Sequence, residues 1–367
     1  MLRPVYLTSL RSAGTMKVLF RTDCDNRQGM GHVMRCIALA HSFVAEGAQV
    51  VFACSKQDGV IHVKSVGFDA INLCSLSERD QIAAIASQYR SDTLSLIIAD
   101  SYEFSGSYLK ALNDIAPTAY IDDLHTPELN ISAIVNGNIT ADSSIYSKLY
   151  EQTSTRLLIG PKYNILRSEF YGQNSIQIKD KVKRVLVTSG GSDPHGASIR
   201  ITETLLECEQ LYNAEIVVMA GPLSNSVNQL QSISAKHPNV AVIQNASNVA
   251  ELMQSCDMAI AAAGGTMNEL CACGVPSVVY ALANNQVLAA FSFSNKRCAL
   301  DGGAVWDAAF SSRMKNCAEK LAQSRDLRFN ISKNAHALFD GMGANRVATE
   351  LLALATSTNR SHVQLDH

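Results

Sequence analysis

Residues 17–44 read KVLFRTDCDNRQGMGHVMRCIALAHSFV. The run Lys17–Arg21 is apolar and β-forming, and a Gly-rich turn follows it. Apolar positions then recur at helical spacing, at Val33, Ile37, Ala40 and Val44. A strand, a turn and an amphipathic helix in that order open a doubly wound α/β sheet. Gln49–Cys54 reads as a second strand and Ala70–Leu73 as a third. Leu94–Ala99 (LSLIIA) is a near-continuous apolar run ending at Asp100. Such runs are buried on both faces, as in a parallel sheet between helical layers. Ala116–Ile121 and Ala133–Val135 complete this half.

The rhythm breaks over Gly160–Lys181, where a Gly-Pro pair precedes a polar stretch (GQNSIQIKDK) of linker composition. It restarts with a strand at Arg184–Thr188, the turn SGGSDPHG and a helix from about Ala197. Further strands are expected at Ala214–Met219, Val240–Ile243, Met258–Ala261 and Ser277–Tyr280. Beyond Gly303 the pattern is mainly helical, including Phe310–Ser324 and Asn345–Ala355. The expected architecture is two Rossmann-like doubly wound domains facing across a cleft. Its boundaries are an extension outside the fold (1–15), an N-terminal domain (16–165), a linker (166–182), a C-terminal domain (183–345), and a final helix and tail (346–367).

Composition narrows the function. Apolar residues make up 47% and charged residues 17% of the 367, a globular balance. A net charge of -2 lacks the basic excess of a nucleic-acid binder, so the expected partner is a small molecule. The ten cysteines show neither zinc nor redox spacing and read as buried thiols of a reduced, cytoplasmic protein. No apolar run reaches membrane-spanning length without Gly or a charge, and the first fifteen residues lack a signal peptide's apolar core. No stable membrane association is therefore expected.

Ligand sites in open α/β sheets lie beyond the carboxyl ends of the strands, so residues there carry the chemistry. Asp23 follows the first strand, and Gly29 and Gly31 then let the backbone turn tightly beside a ligand. His32 falls at a helix N-terminus, whose dipole disfavours protonation. A neutral imidazole there can act as a general base, or the residue can simply cap the helix. Asp100 and Tyr102 offer a carboxylate and a phenol at another strand end. Asp122 and Asp123 end the next one, without a third ligand for a metal, and are expected to cap or hydrogen-bond.

In the second half, Gly264, Gly265 and Thr266 follow a strand and open a helix. Free backbone N–H groups there can hold a diphosphate, and Glu269, one turn on, can accept ribose hydroxyls. Gly190 and Gly191 form a matching turn. Asn285 and Gln286 present two amides suited to sugar hydroxyls or an N-acetyl group.

Seven segments, RTD…GMGHVMR, IADSY, YIDD, LLIGPKYNILRSEFY, VLVTSGGSDP, AAAGGTMNELCACGVPSVV and LANNQ, occur in the order seen in a known family. The chain resembles the UDP-sugar hydrolases of pseudaminic acid biosynthesis, a route that feeds flagellin glycosylation. The likeness spans Met16 to about Gly303. It implies a GT-B-type fold, with the nucleotide held by the C-terminal domain and the sugar near the N-terminal one. It also implies inverting hydrolysis of the C1–O bond of a UDP-2,4-diacetamido-trideoxy sugar by water, with no metal or cofactor. His32 maps onto the catalytic histidine, and Tyr102 and Asn285 onto substrate-site residues. Arg167 lies within the shared segment LLIGPKYNILRSEFY and is taken as substrate-binding. One segment departs: residues 126–138 read TPELNISAIVNGN, without the family's cysteine. Related proteins of spore-coat and surface polysaccharide synthesis share the glycine motifs. Transfer from a UDP-sugar to an acceptor hydroxyl is therefore the alternative to hydrolysis.

Overall fold

Seven strands form the first sheet: β1 (Lys17–Thr22), β2 (Gln49–Cys54), β3 (Asp69–Asn72), β4 (Leu96–Asp100), β5 (Thr118–Ile121), β6 (Ala133–Asn136) and β7 (Arg156–Ile159), in the order β3-β2-β1-β4-β5-β6-β7. The ladders from β3 through β6 are parallel. Six more strands form the second: β8 (Arg184–Thr188), β9 (Glu215–Ala220), β10 (Val240–Gln244), β11 (Met258–Ala262), β12 (Ser277–Ala281) and β13 (Ala299–Ala304), in the order β10-β9-β8-β11-β12-β13, parallel throughout. The computed structural model describes residues 15–24, 30–89, 94–126 and 128–363. Residues 1–14 of the expected extension and Gly29 of the expected turn lie outside the described residues.

Both sheets are doubly wound. In the first, the chain winds outward from β1 to β3, then returns to β4 beside β1 and winds the other way. In the second, β8 and β11 make the same reversal. Helices leaving a strand pair in opposite directions open a crevice at its carboxyl end, which is where ligands bind in such sheets. The central strands are apolar enough to be covered on both faces: every residue of β4, β11 and β12 is buried. Phe20 of β1 stacks on Phe52 of β2 at 5.0 Å and meets Phe43 of the following helix edge-on at 5.8 Å.

The chain divides into two compact units. One holds the described residues up to Val135, Ser144–Leu158 and the chain from Asn345; the other holds Asn136–Ser143 and Ile159–Ala344. The polar stretch read as a linker packs along the second unit. Asp257 takes the Lys179 ammonium at 2.7 Å, Arg328 donates to the carbonyls of Lys179 and Asp180, and the Ile176 N–H bonds to Cys273 O. Part of its polarity is satisfied by protein groups. The last helix, Gly343–Val363, returns to the first unit, where Glu350 pairs with Arg156. Two strands, β7 and β13, have no counterpart in the sequence reading. β13 reads ALDGGA, and its register against β12 shifts between Val279 and Ala281. Among the described residues no helix is long and apolar enough to cross a membrane.

Candidate active site

In the first unit the site is built at the reversal between β1 and β4. The Gly31–Ala45 helix starts just beyond β1 with no side-chain cap, and His32 is its second residue. Asp100 closes β4, where helices and neighbouring strands exclude water completely. Its Oδ1 lies 2.7 Å from His32 Nδ1. Arg35, one turn along from His32, takes the other side of the carboxylate: Nε donates to Oδ2 and NH2 to Oδ1, both at 2.6 Å. Burial pushes the Asp100 carboxyl up, but Arg35 and His32 more than offset it and hold it at about 2. An ionised carboxylate can only accept, so Nδ1 of His32 carries the hydrogen of this bond, and Nε2 is the ring nitrogen left unengaged by Asp100.

The network continues to Tyr102. Arg35 NH1 donates to Asp123 Oδ2 at 2.6 Å, and the Tyr102 hydroxyl donates to the same oxygen at 3.0 Å. The Tyr102 ring stands edge-on to His32, 4.4 Å between centroids, with 52% of the residue exposed. Burial and then the Asp123 charge push its phenol up to about 12, so it is a hydrogen-bonding group at neutral pH. Asp122 takes a different job. It accepts from Thr126 and Leu124 of the following loop and from Tyr146 at 2.6 Å.

Asp23 sits at the same strand end but is fully enclosed by scaffold. Arg21 NH1 donates to it at 2.7 Å, and the Ser55 and Lys56 N–H groups bind its other oxygen at 2.6 and 3.1 Å. Arg21, itself buried, also bonds to Tyr108, Ser55 and Gln81. This is a buried ion pair whose desolvation is offset by a full set of hydrogen bonds. It ties the end of β1 to that of β2.

The second unit presents its glycine turns at the reversal between β8 and β11. Gly190 has φ +80°, a left-handed conformation that favours glycine. A Cβ at Gly190 would lie 3.8 Å from Thr266 Oγ1, and one at Gly264 would lie 3.7 Å from Gln286 Nε2. The turns after β8, β11 and β12 thus converge. Gly221 backs the first turn so closely that a Cβ there would strike the Gly190 and Gly191 carbonyl oxygens. Beneath the turn, Ser189 Oγ bonds to Tyr280 Oη at 2.7 Å and Ser198 Oγ at 2.8 Å. The Gly265–Ala272 helix has no side-chain cap, and a helix start of that kind can offer N–H groups to an outside acceptor. Gln286 turns its amide oxygen back onto the Leu282 N–H, while Asn285 beside it is exposed.

Glu269 and Arg167, separated by a hundred residues, meet here. Arg167 donates to Glu269 Oε1 from NH2 at 2.9 Å and from Nε at 3.3 Å, and pairs with Glu169 at 2.7 Å. Glu169 in turn caps the Val249–Gln254 helix through the Val249 and Ala250 N–H groups. Burial pushes the Glu269 carboxyl up against the pull of Arg167.

Comparison with known proteins bears on the fold. Residues 184–329 match the glycosyltransferase family 28 C-terminal domain. The structure superposes on the glycotransferase of kitacinnamycin at TM-score 0.64 and 16% identity, covering 93% of this chain and 99% of that one. It superposes on a Rickettsia africae glycosyltransferase at 0.62 and 12%, covering 94% and 99%. The fold is of the GT-B type. Among curated relatives, the spore coat polysaccharide biosynthesis protein SpsG of Bacillus subtilis is 26% identical over 92% of this chain and 98% of its own. The UDP-2,4-diacetamido-2,4,6-trideoxy-β-L-altropyranose hydrolase of Campylobacter jejuni is 26% identical over 69% and 87%. An uncharacterised protein of Methanocaldococcus jannaschii is 28% identical over 72% of this chain, which spans 55% of that relative's length.

The structure therefore brings His32, Gly31, Asp100 and Tyr102 together in one unit. In the other it gathers Gly190, Gly191, Gly264, Gly265, Thr266, Glu269, Arg167 and Gln286, with Asn285 at the rim. Sequence reasoning missed Arg35 and the part played by Asp123. The signal for Arg35 was its spacing: three residues after His32 on a helix places it on the same face. Among the described residues no group of three His, Cys, Asp or Glu is placed to hold a metal ion.

The Asp100 carboxyl titrates lower in the fold than its ordinary 3.8. Its contribution to stability is therefore present above that value and lost as pH falls from 3.8 towards about 2. Comparing urea unfolding of the wild type and Asp100→Asn across this range checks it. The stability gap between them should close on acidification, and a constant gap would remove the charge clamp from the account.

Proposed function

We propose that the chain hydrolyses a UDP-linked sugar at the anomeric C1–O bond, releasing UDP and the free sugar. The observation that carries this reading is the buried Asp100–His32 pair, which leaves Nε2 of an oriented imidazole as a proton acceptor. Nε2 takes a proton from water as its oxygen attacks C1 from the face opposite the diphosphate, which inverts the anomeric centre. The C1–O electron pair leaves with UDP, whose stable anion needs no strong acid to depart. The proton on His32 then passes to solvent.

The second unit serves the nucleotide. The turns at Gly190–Gly191 and Gly264–Gly265, with Thr266, receive the diphosphate on backbone N–H groups, and the helix start stabilises charge as it develops on the leaving group. Glu269, steadied by Arg167, accepts from the ribose hydroxyls. Tyr102, Asn285 and Gln286 bind the sugar. The hydrolase relative supports a 2,4-diacetamido-trideoxy sugar as substrate and a place in pseudaminic acid biosynthesis. The family 28 match and the SpsG relative favour a second reading, transfer of the sugar to an acceptor hydroxyl in place of water.

Incubating the purified protein with a panel of UDP-2,4-diacetamido sugars, with and without acceptor alcohols, separates the two. Hydrolysis predicts UDP release without an acceptor; release that requires one would establish transfer. In that assay His32→Asn should lose at least about 10²-fold in kcat with UDP affinity nearly unchanged. A variant with native turnover would remove His32 from the chemistry.

Glu269→Ala should weaken UDP binding by about 1–3 kcal/mol, the cost of losing charge-assisted hydrogen bonds. Calorimetric titration with UDP measures this directly. Unchanged affinity would confine Glu269 to its ion pair with Arg167.

A further inference from the structure

Asp100 ends β4 and Asp123 lies just beyond the neighbouring β5, and a single guanidinium spans both. Arg35 uses three different nitrogens to do so, Nε and NH2 on the two oxygens of Asp100 and NH1 on Asp123. We propose that Arg35 is a positioning residue: it neutralises Asp100 so that His32 is oriented without being charged, and it fixes Asp123 so that the Tyr102 hydroxyl is held beside the ring. The inference rests on the hydrolase reading of this site and adds to it the group on which the base depends.

The charges facing His32 explain why such a group is needed. From the end of β4 comes Asp100, at 2.7 Å. From the end of β5 comes Asp123, reached through Tyr102 and Arg35. Cys36, on the next turn of the same helix, donates its thiol to Asp100 Oδ2, and burial together with Asp100 pushes that thiol up, so it is neutral. Tyr102, from the loop after β4, is also neutral. Arg35 is the cation in this set, with NH2 3.2 Å from Nδ1. Without it two carboxylates, Asp100 bonded to the ring and Asp123 bonded to Tyr102, would go unbalanced and favour the imidazolium, whose Nε2 has no lone pair to offer water. Geometry matters as much as charge. The fork of a guanidinium fits a carboxylate with two parallel bonds and still reaches a second one, which a single ammonium cannot do.

Two variants of the full chain separate these roles, Arg35→Met and Arg35→Lys, each checked for folding by thermal unfolding. NMR titration of the His32 ring, assigned with His32→Asn, reads the charge effect whether or not the protein turns over. Arg35→Met should raise the ring's titration midpoint by on the order of one pH unit, and move the acid limb of kcat/KM with it. It should also lower kcat by about 10²-fold with little change in KM, as expected for a group that acts through the base. Arg35→Lys should restore the midpoint but recover only part of kcat. A native midpoint and a native acid limb in Arg35→Met would overturn the proposal, whatever its kcat. If that variant does not fold, Asp123→Asn decides: the midpoint should fall and kcat should drop, and no change in either would overturn it. Absence of turnover in the wild type would defeat the hydrolase reading alone, because the ring titration still tests Arg35.

Discussion

A carboxylate taken wholly out of water has to be met by charge and donors, and Asp100 is in that position. β4 is buried along its whole length, so the side chain at its end has no solvent to turn to. The bidentate bond from Arg35 and the bond from His32 meet this demand. The consequences reach beyond stability. Satisfying Asp100 fixes the His32 ring, selects its tautomer and leads through Asp123 to Tyr102. What folding requires of one aspartate thus supplies the oriented imidazole that the proposed reaction uses.

The second unit meets a comparable demand with backbone. Its turns after β8 and β11 are shaped by the left-handed Gly190, by the close approach of Gly221 and by hydroxyl bonds from Ser189 to Tyr280 and Ser198. Turns of this kind, at a helix start without a side-chain cap, suit an anion with several oxygens. A diphosphate leaving group is such an anion. On the proposed reading, the glycine turns lower the barrier by receiving the developing charge, and His32 lowers it by removing a proton from water.

Much of this was legible in the sequence, for physical reasons that differ by element. Gln49–Cys54 and Arg184–Thr188 were read to the residue, because buried parallel strands are short apolar runs bounded by polar turns. β13 was not, because Asp301, Gly302 and Gly303 look like a turn; its pairing is stabilised by the neighbouring β12 rather than by its own composition. The polar stretch after Gly160 read as a linker, since composition does not reveal that Asp257 and Arg328 bind it. His32 was legible as a helix-start group and Asp100 as a strand-end group, but their contact was not, as it depends on β1 and β4 being neighbours. Arg35 passed unnoticed inside an amphipathic helix, where a lone arginine reads as solvated surface.

The central claim is that water activated by His32 attacks carbon rather than phosphorus. Turnover in ¹⁸O-labelled water, followed by mass spectrometry of both products, tests it most directly. Attack at C1 places the label on the anomeric oxygen of the released sugar and leaves UDP unlabelled, since the bridging oxygen departs with the diphosphate. Label in the UDP phosphate would mean attack at phosphorus, and would contradict the account even with the fold and the nucleotide turns unchanged.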